Sequence, residues 1–170
     1  MLKVLARFRV TLGFVVGLLC FWLADPSWLS IAVGGLIAVP GEALRIWAAG
    51  HIEKGREITR SGPYRFARHP LYLGSSIMAV GFAVAAGSWW VVLLVALHMG
   101  LTLLAAMRTE ERALDEKFNG EYAAYREGRA EPVERRFSWH RVMRNREYRG
   151  ATGLAVGLAV LACIRFFVKG

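Results

Sequence analysis

Cysteine is nearly absent: Cys20 and Cys163 are the only two, each alone in an apolar stretch and far from any Cys-x-x-Cys or Cys/His grouping. A disulfide-stapled scaffold is excluded, and metal or redox chemistry has no footing. Both residues read as small buried hydrophobes. Charge is scarce as well, at 21% of 170 residues against 55% hydrophobic. Disorder and collagen are thereby excluded. Acid is the shorter sign, 13 Asp and Glu against 22 Lys and Arg, for a formal charge of +9. The mean hydropathy of +0.36 comes from long uncharged runs, more apolar surface than a water-wetted globule can hide. The fold class is therefore all-α: a polytopic membrane helical bundle forming one domain over residues 1–170.

Five apolar runs occupy residues 10–24, 28–49, 71–86, 89–107 and 150–168. The first is not a cleaved leader, because Phe21-Trp22-Leu23 makes a poor small-residue cleavage site and a second run follows at once. Gly87-Ser88 reads as a tight hairpin, with Trp89 and Trp90 at an interface. Lys and Arg are sharply sorted: the amino terminus, the 51–69 loop and the 108–149 segment hold nineteen of the 22, and the hairpins at Asp25-Pro26 and Gly87-Ser88 hold none. By the positive-inside rule the amino terminus is cytoplasmic, the carboxyl terminus lies outside, and two cytoplasmic segments are large enough for chemistry. A nucleic-acid face is disfavoured, because acids such as Glu110, Glu111, Glu127 and Glu134 interrupt the basic residues.

Two segments carry candidate chemistry. In Ser61-Gly-Pro-Tyr-Arg-Phe-Ala-Arg-His-Pro-Leu-Tyr-Leu-Gly74, Gly62-Pro63 makes a turn and Pro70 suits the first turn of a helix. The free N–H groups of that turn, with Arg65, Arg68 and His69, form an anion site, and Gly74 permits close backbone approach. An equally physical alternative is that Arg and His snorkel while Tyr64 and Tyr72 sit in an aromatic belt. The second segment is Arg108-Thr-Glu-Glu-Arg112, followed by Leu114, Phe118, Tyr122 and Tyr125 at helical spacing, which predicts a surface helix between spans four and five. Adjacent carboxylates do not share a helical face. One of Glu110 and Glu111 is thus free to bond a ligand's diol or amino group, and the other to hold an arginine such as Arg68 or Arg108; ordinary surface salt bridges are the alternative. Glu42 and Arg45 are ionisable residues inside a span, three apart on one face, so they either pair near the interface or line a substrate cavity. His51, His98 and His140 are isolated and show no metal-ligand spacing.

Taken in order, Gly62-Pro-Tyr, Arg68-His-Pro-x-Tyr-x-Gly74, a two-span hairpin, Arg108-x-Glu-Glu and Phe118-x-Gly-Glu-Tyr-x-x-Tyr125 resemble the isoprenylcysteine carboxyl methyltransferase and phospholipid methyltransferase family of integral membrane enzymes. The likeness covers roughly residues 40–130. It implies methyl transfer from S-adenosylmethionine to a lipophilic small molecule or lipidated acceptor at the cytoplasmic face, among membrane lipids. Carried over, His69, Tyr72, Gly74, Glu110 and Glu111 surround the cofactor, with Tyr64 and Arg68 as additions. For the reaction itself, Arg108 would orient a carboxylate acceptor, or Glu111 would take a proton from an amine. Two departures stand out: Phe118-Asn-Gly-Glu-Tyr replaces the commoner Phe-Gly-x-Glu-Tyr, and a basic stretch and fifth span follow where many relatives stop. Two other readings remain open, an NADPH-dependent membrane reductase of the sterol reductase type and a noncatalytic lipid- or partner-binding membrane protein.

Overall fold

A computed structural model describes residues 2–53, 55–118, 121–131 and 133–168, with side chains described from residue 12 onward. The described residues form α1 (Leu2–Leu23), α2 (Trp28–His51), a 3-10 turn (Gly62–Arg65), α3 (Pro70–Ala86), α4 (Trp89–Lys117), α5 (Glu121–Arg126), α6 (Trp139–Arg144) and α7 (Tyr148–Phe167), with no strand among them. The chain is an all-helical membrane protein. Helices α2, α4 and α7 are long and apolar enough to cross a bilayer by length and composition, and α3 is a shorter apolar helix. Large apolar side chains face outward all round, as on Leu18, Leu36, Leu97 and Val156. Such a surface suits hydrocarbon rather than water.

Local chemistry sets the helix ends. Ser27 and Ser30 form a reciprocal capping box at the start of α2, each side chain taking the other's backbone N–H at 3.0 and 2.9 Å. Pro70 occupies the first turn of α3 as its fixed φ favours, and α3 stops where Gly87 turns left-handed at φ 64°. The Asp25 N–H donates to the Ala86 carbonyl at 2.8 Å, tying the two hairpin loops together.

Helices α2 and α3 form the tightest pair, and they run antiparallel with glycine facing glycine. A Cβ on Gly41 would come within 2.8 Å of the Gly74 carbonyl, and one on Gly81 within 2.6 Å of the Gly34 carbonyl. Gly34 and Gly41, like Gly74 and Gly81, are seven residues apart, so two turns separate two points of backbone contact. Small residues permit this approach where lipid gives helices no hydrophobic push. A buried cluster of Cys20, Ala24, Ala85, Ala86, Val91 and Leu161 packs α1, α3, α4 and α7 together at the end of the bundle where α3 stops.

Two expectations are corrected. Cys20 is buried, but Cys163 lies exposed on α7, because a single apolar run does not tell which side faces lipid. The surface helix holding Leu114, Phe118, Tyr122 and Tyr125 is divided: α4 continues past the apolar part that ends at Met107 as far as Lys117, Phe118 leaves helical geometry, and Tyr122 and Tyr125 belong to α5.

Candidate functional site

The site is assembled where the 3-10 turn, the start of α3, the charged end of α4 and α5 meet. His69 precedes α3 and makes no capping bond with its side chain. Its Nε2 instead lies 3.0 Å from Oε1 of Glu111, and the Tyr122 hydroxyl donates to the same oxygen at 3.3 Å. One turn further along α5, the Tyr125 hydroxyl donates to the Tyr64 carbonyl at 2.7 Å. These three bonds fasten α5 and α4 to the residues around Pro70.

The electrostatics follow from this wiring. The hydrogen bond from His69 holds the Glu111 carboxyl below its ordinary range against a partial burial that works the other way. Burial, and then the charge of Glu110, pushes the Tyr64 hydroxyl well above the usual phenol range. Burial likewise raises Tyr122, with the neighbouring Glu111 carboxylate adding to it, and Tyr125. All three phenols are neutral at physiological pH; Tyr122 and Tyr125 spend their single O–H on Glu111 and the Tyr64 carbonyl, which leaves the Tyr64 O–H as the uncommitted donor.

Two cavities meet at this point and share Ile52, Tyr64, Arg68, His69 and Glu110. The first, about 300 Å³, continues between the 51–69 loop and α4–α5, against Ile58, Thr59, Leu114, Tyr122 and Tyr125. The second, about 380 Å³, continues among the spans, against Leu71, Tyr72, Met99 and Leu103. The Tyr64 side chain lies in the wall common to both, and its buried hydroxyl has no hydrogen-bond partner. A buried polar atom left unpaired is costly, which marks it as a group with a task.

At its polar end the second cavity reaches Arg45, Ser75 and Glu147. Arg45 donates to the Ser75 hydroxyl, lies 2.5 Å from Oε1 of Glu147 and 3.5 Å from Oε2 of Glu42. Glu42 and Arg45 thus pair across one helical turn, and of the two Arg45 borders the cavity while Glu42 stands behind it. Glu147 comes from the segment entering α7 and was not anticipated. The available signal was an acid within the basic stretch that precedes the last span.

The remaining residues sort plainly. Tyr64, Arg68, His69 and Glu110 border both cavities, and Tyr72 the second. Glu111 stands behind them and bonds His69 and Tyr122, while the charge of Arg68 acts on it at longer range. Gly74 lies in the α2–α3 seam, where a Cβ would meet Arg45 Cγ and the Gly41 carbonyl at 2.6 Å, so its lack of a side chain serves helix packing. Arg108 is exposed and borders neither cavity. Among the described residues no three His, Cys, Asp or Glu converge as a metal-binding group.

The donor set fits S-adenosylmethionine. Arg68 suits its carboxylate, Glu110 its ribose diol or amino group, and the Tyr64, Tyr122, Tyr125, Ile58 and Leu114 surfaces its adenine. The family model for phospholipid methyltransferases matches residues 10–121. The chain belongs to the phospholipid methyltransferase family. Among curated relatives, it is 33% identical to the cobalt-zinc-cadmium resistance protein CzcN of Cupriavidus metallidurans over 126 residues, which is 69% of this chain and 57% of that protein. It is 32% identical to the nickel-cobalt-cadmium resistance protein NccN of Alcaligenes xylosoxydans xylosoxydans over 99 residues, 55% of this chain and 46% of that one. The chain thus spans about half the length of these relatives. No solved structure matches it.

Proposed function

We propose that this member of the phospholipid methyltransferase family transfers the methyl group of S-adenosylmethionine to a lipophilic acceptor, at the membrane face bearing the Lys- and Arg-rich segments. The observation that carries this reading is the wall of Tyr64, Arg68, His69 and Glu110 between one cavity among the polar segments and another among the spans. A water-borne cofactor and a bilayer-borne acceptor can approach such a wall from opposite sides. When bound, the cofactor supplies an electrophilic methyl group on a sulfonium.

The residues have positioning and electrostatic work to do rather than covalent work. Arg68 pairs with the cofactor's carboxylate, Glu110 bonds its diol or amino group, and the Tyr64 hydroxyl donates across the wall. Glu111 fixes the His69 ring through Nε2. Tyr72, Leu71, Met99 and Leu103 exclude water around the acceptor, which shortens the list of competing nucleophiles. We place the amino terminus in the cytoplasm and count five spans, with α1 and α3 as the shorter two.

The test is calorimetric titration of the detergent-purified chain with S-adenosylmethionine and S-adenosylhomocysteine, with Glu110→Gln and His69→Ala as variants. Micromolar binding that weakens at least tenfold in both variants supports the site. A folded, lipid-supplied wild type that binds neither ligand overturns it, and NADPH binding in its place would move the reading to the reductase.

A further inference from the structure

A third cavity lies apart from the two that meet at Tyr64. It is a cleft of about 480 Å³ at the cytoplasmic end of α2, lined by Trp47, His51, Gly62, Arg65, Arg135 and Arg136, with one acid, Glu134, among them. Its floor is closely fitted: His51 is buried with Nδ1 3.2 Å from the Ser61 hydroxyl, and a Cβ on Gly62 would strike the imidazole at 2.6 Å. Its rim is basic. Arg135 is occupied by Glu57 at 2.6 Å and by the His51 carbonyl at 3.3 Å. Among the described residues Arg65 meets the acid Glu134, at 3.8 Å, and that carboxylate is 94% exposed. Arg136 pairs with no acid among the described residues. With Arg135 matched by Glu57, the cleft sets the two guanidinium groups of Arg65 and Arg136 against the single exposed carboxylate of Glu134, an excess of positive charge.

The surroundings point to the source of the anion. Trp47 belongs to a membrane-crossing helix and is 42% exposed. Below it, Leu36, Val39, Pro40 and Ala43 form an exposed apolar stripe at helical spacing. From Leu36 to Trp47 is eleven residues, about 16 Å of helix rise, long enough to guide much of an acyl chain. Phe137, Trp139 and Met143 are exposed beside the strap carrying Arg135 and Arg136, a composition suited to the headgroup boundary.

We infer that the Trp47–Arg65–Arg136 cleft binds the phosphate of an anionic glycerophospholipid, whose acyl chains lie along the Leu36–Ala43 face of α2. Guanidinium pairs match phosphate oxygens in a fork, and basic pockets at the cytoplasmic ends of spans are suited to such headgroups. The site is independent of the methyl-transfer cavities and does not rest on the proposed activity.

The experiment is native mass spectrometry of the full chain in mild detergent, titrated with phosphatidylglycerol and with phosphatidylcholine. The wild type is expected to retain phosphatidylglycerol at least tenfold better than phosphatidylcholine. R65Q/R136Q, whose side chains are exposed or nearly so, should keep the wild-type melting temperature and show no preference. R126Q/R129Q, which removes the same charge elsewhere, should keep the preference. The inference is overturned if R65Q/R136Q retains the preference, if R126Q/R129Q loses it equally, or if glycerol phosphate displaces the lipid at matched concentration, which would make the cleft a site for soluble phosphate.

Discussion

His69 Nε2 and Glu111 Oε1 lie 3.0 Å apart, joining the residue before α3 to the charged end of α4 across 42 positions of sequence. The contact explains how a loop residue can stand in a cavity wall with a defined ring orientation. It also has a pH signature. The Glu111 carboxyl is held below its ordinary value of 4.5 by the His69 hydrogen bond. A carboxyl depressed in the folded state stabilises the fold above its unfolded value and loses that contribution as pH falls through the folded one. Glu111→Gln is therefore expected to cost about 1 kcal/mol at pH 7, a figure discounted for partial exposure. The same variant should flatten the loss of stability below pH 4.5. Thermal melts of both proteins between pH 3 and 7 check this, and parallel curves would exclude the contact.

The Glu42–Arg45–Glu147 group contains two buried carboxylates and one arginine. Removing the cation is therefore worse than removing either anion. Arg45→Met should cost about 3–5 kcal/mol, as breaking a buried ion pair does. Glu147→Gln, which leaves a one-to-one pair, should cost clearly less, and adding it to Arg45→Met should recover part of the loss. A double-mutant cycle on detergent-solubilised protein measures the coupling, and additive losses would show that the three side chains act separately.

The α2–α3 seam makes a sharper structural prediction. Gly41→Ala places a methyl group 2.8 Å from the Gly74 carbonyl, so one helix must move. Overpacking of that kind costs about 1–3 kcal/mol. Gly100→Ala meets nothing within 4 Å and should be neutral or stabilising by up to about 1 kcal/mol through helix propensity. Melting temperatures of the two variants test the contrast, and equal shifts would show that the seam is not tight.

Much of the bundle is legible in the sequence because its signals are local. Gly87 ends α3 through its own left-handed φ, and Pro70 begins it through its own ring. The same locality sets what the sequence leaves open. Gly74 offers room, but only its distance to Gly41 tells whether backbone or ligand fills that room. Arg108 and Glu111 are three apart, yet the facing of α4 turns Glu111 toward His69 and leaves Arg108 exposed. Glu147 reaches Arg45 from 102 positions away, and no spacing rule connects them.

Tyr64 offers the most direct separation of structural from ligand-binding work. Its carbonyl already accepts from Tyr125, so the backbone position does not depend on its own side chain's polarity. Its hydroxyl is buried without a partner, a situation that costs about 1–3 kcal/mol when nothing fills it. Tyr64→Phe removes that unsatisfied group and keeps the ring against Ala48, Ile52 and Leu71. The ligand-free variant should melt at or above the wild-type temperature. If the hydroxyl donates to a ligand spanning the two cavities, the same variant should bind S-adenosylhomocysteine about tenfold more weakly, a difference of about 1.4 kcal/mol. Stability and affinity then move in opposite directions, which a purely structural tyrosine cannot produce. A variant that melts lower and binds as tightly as the wild type would assign Tyr64 to the fold alone.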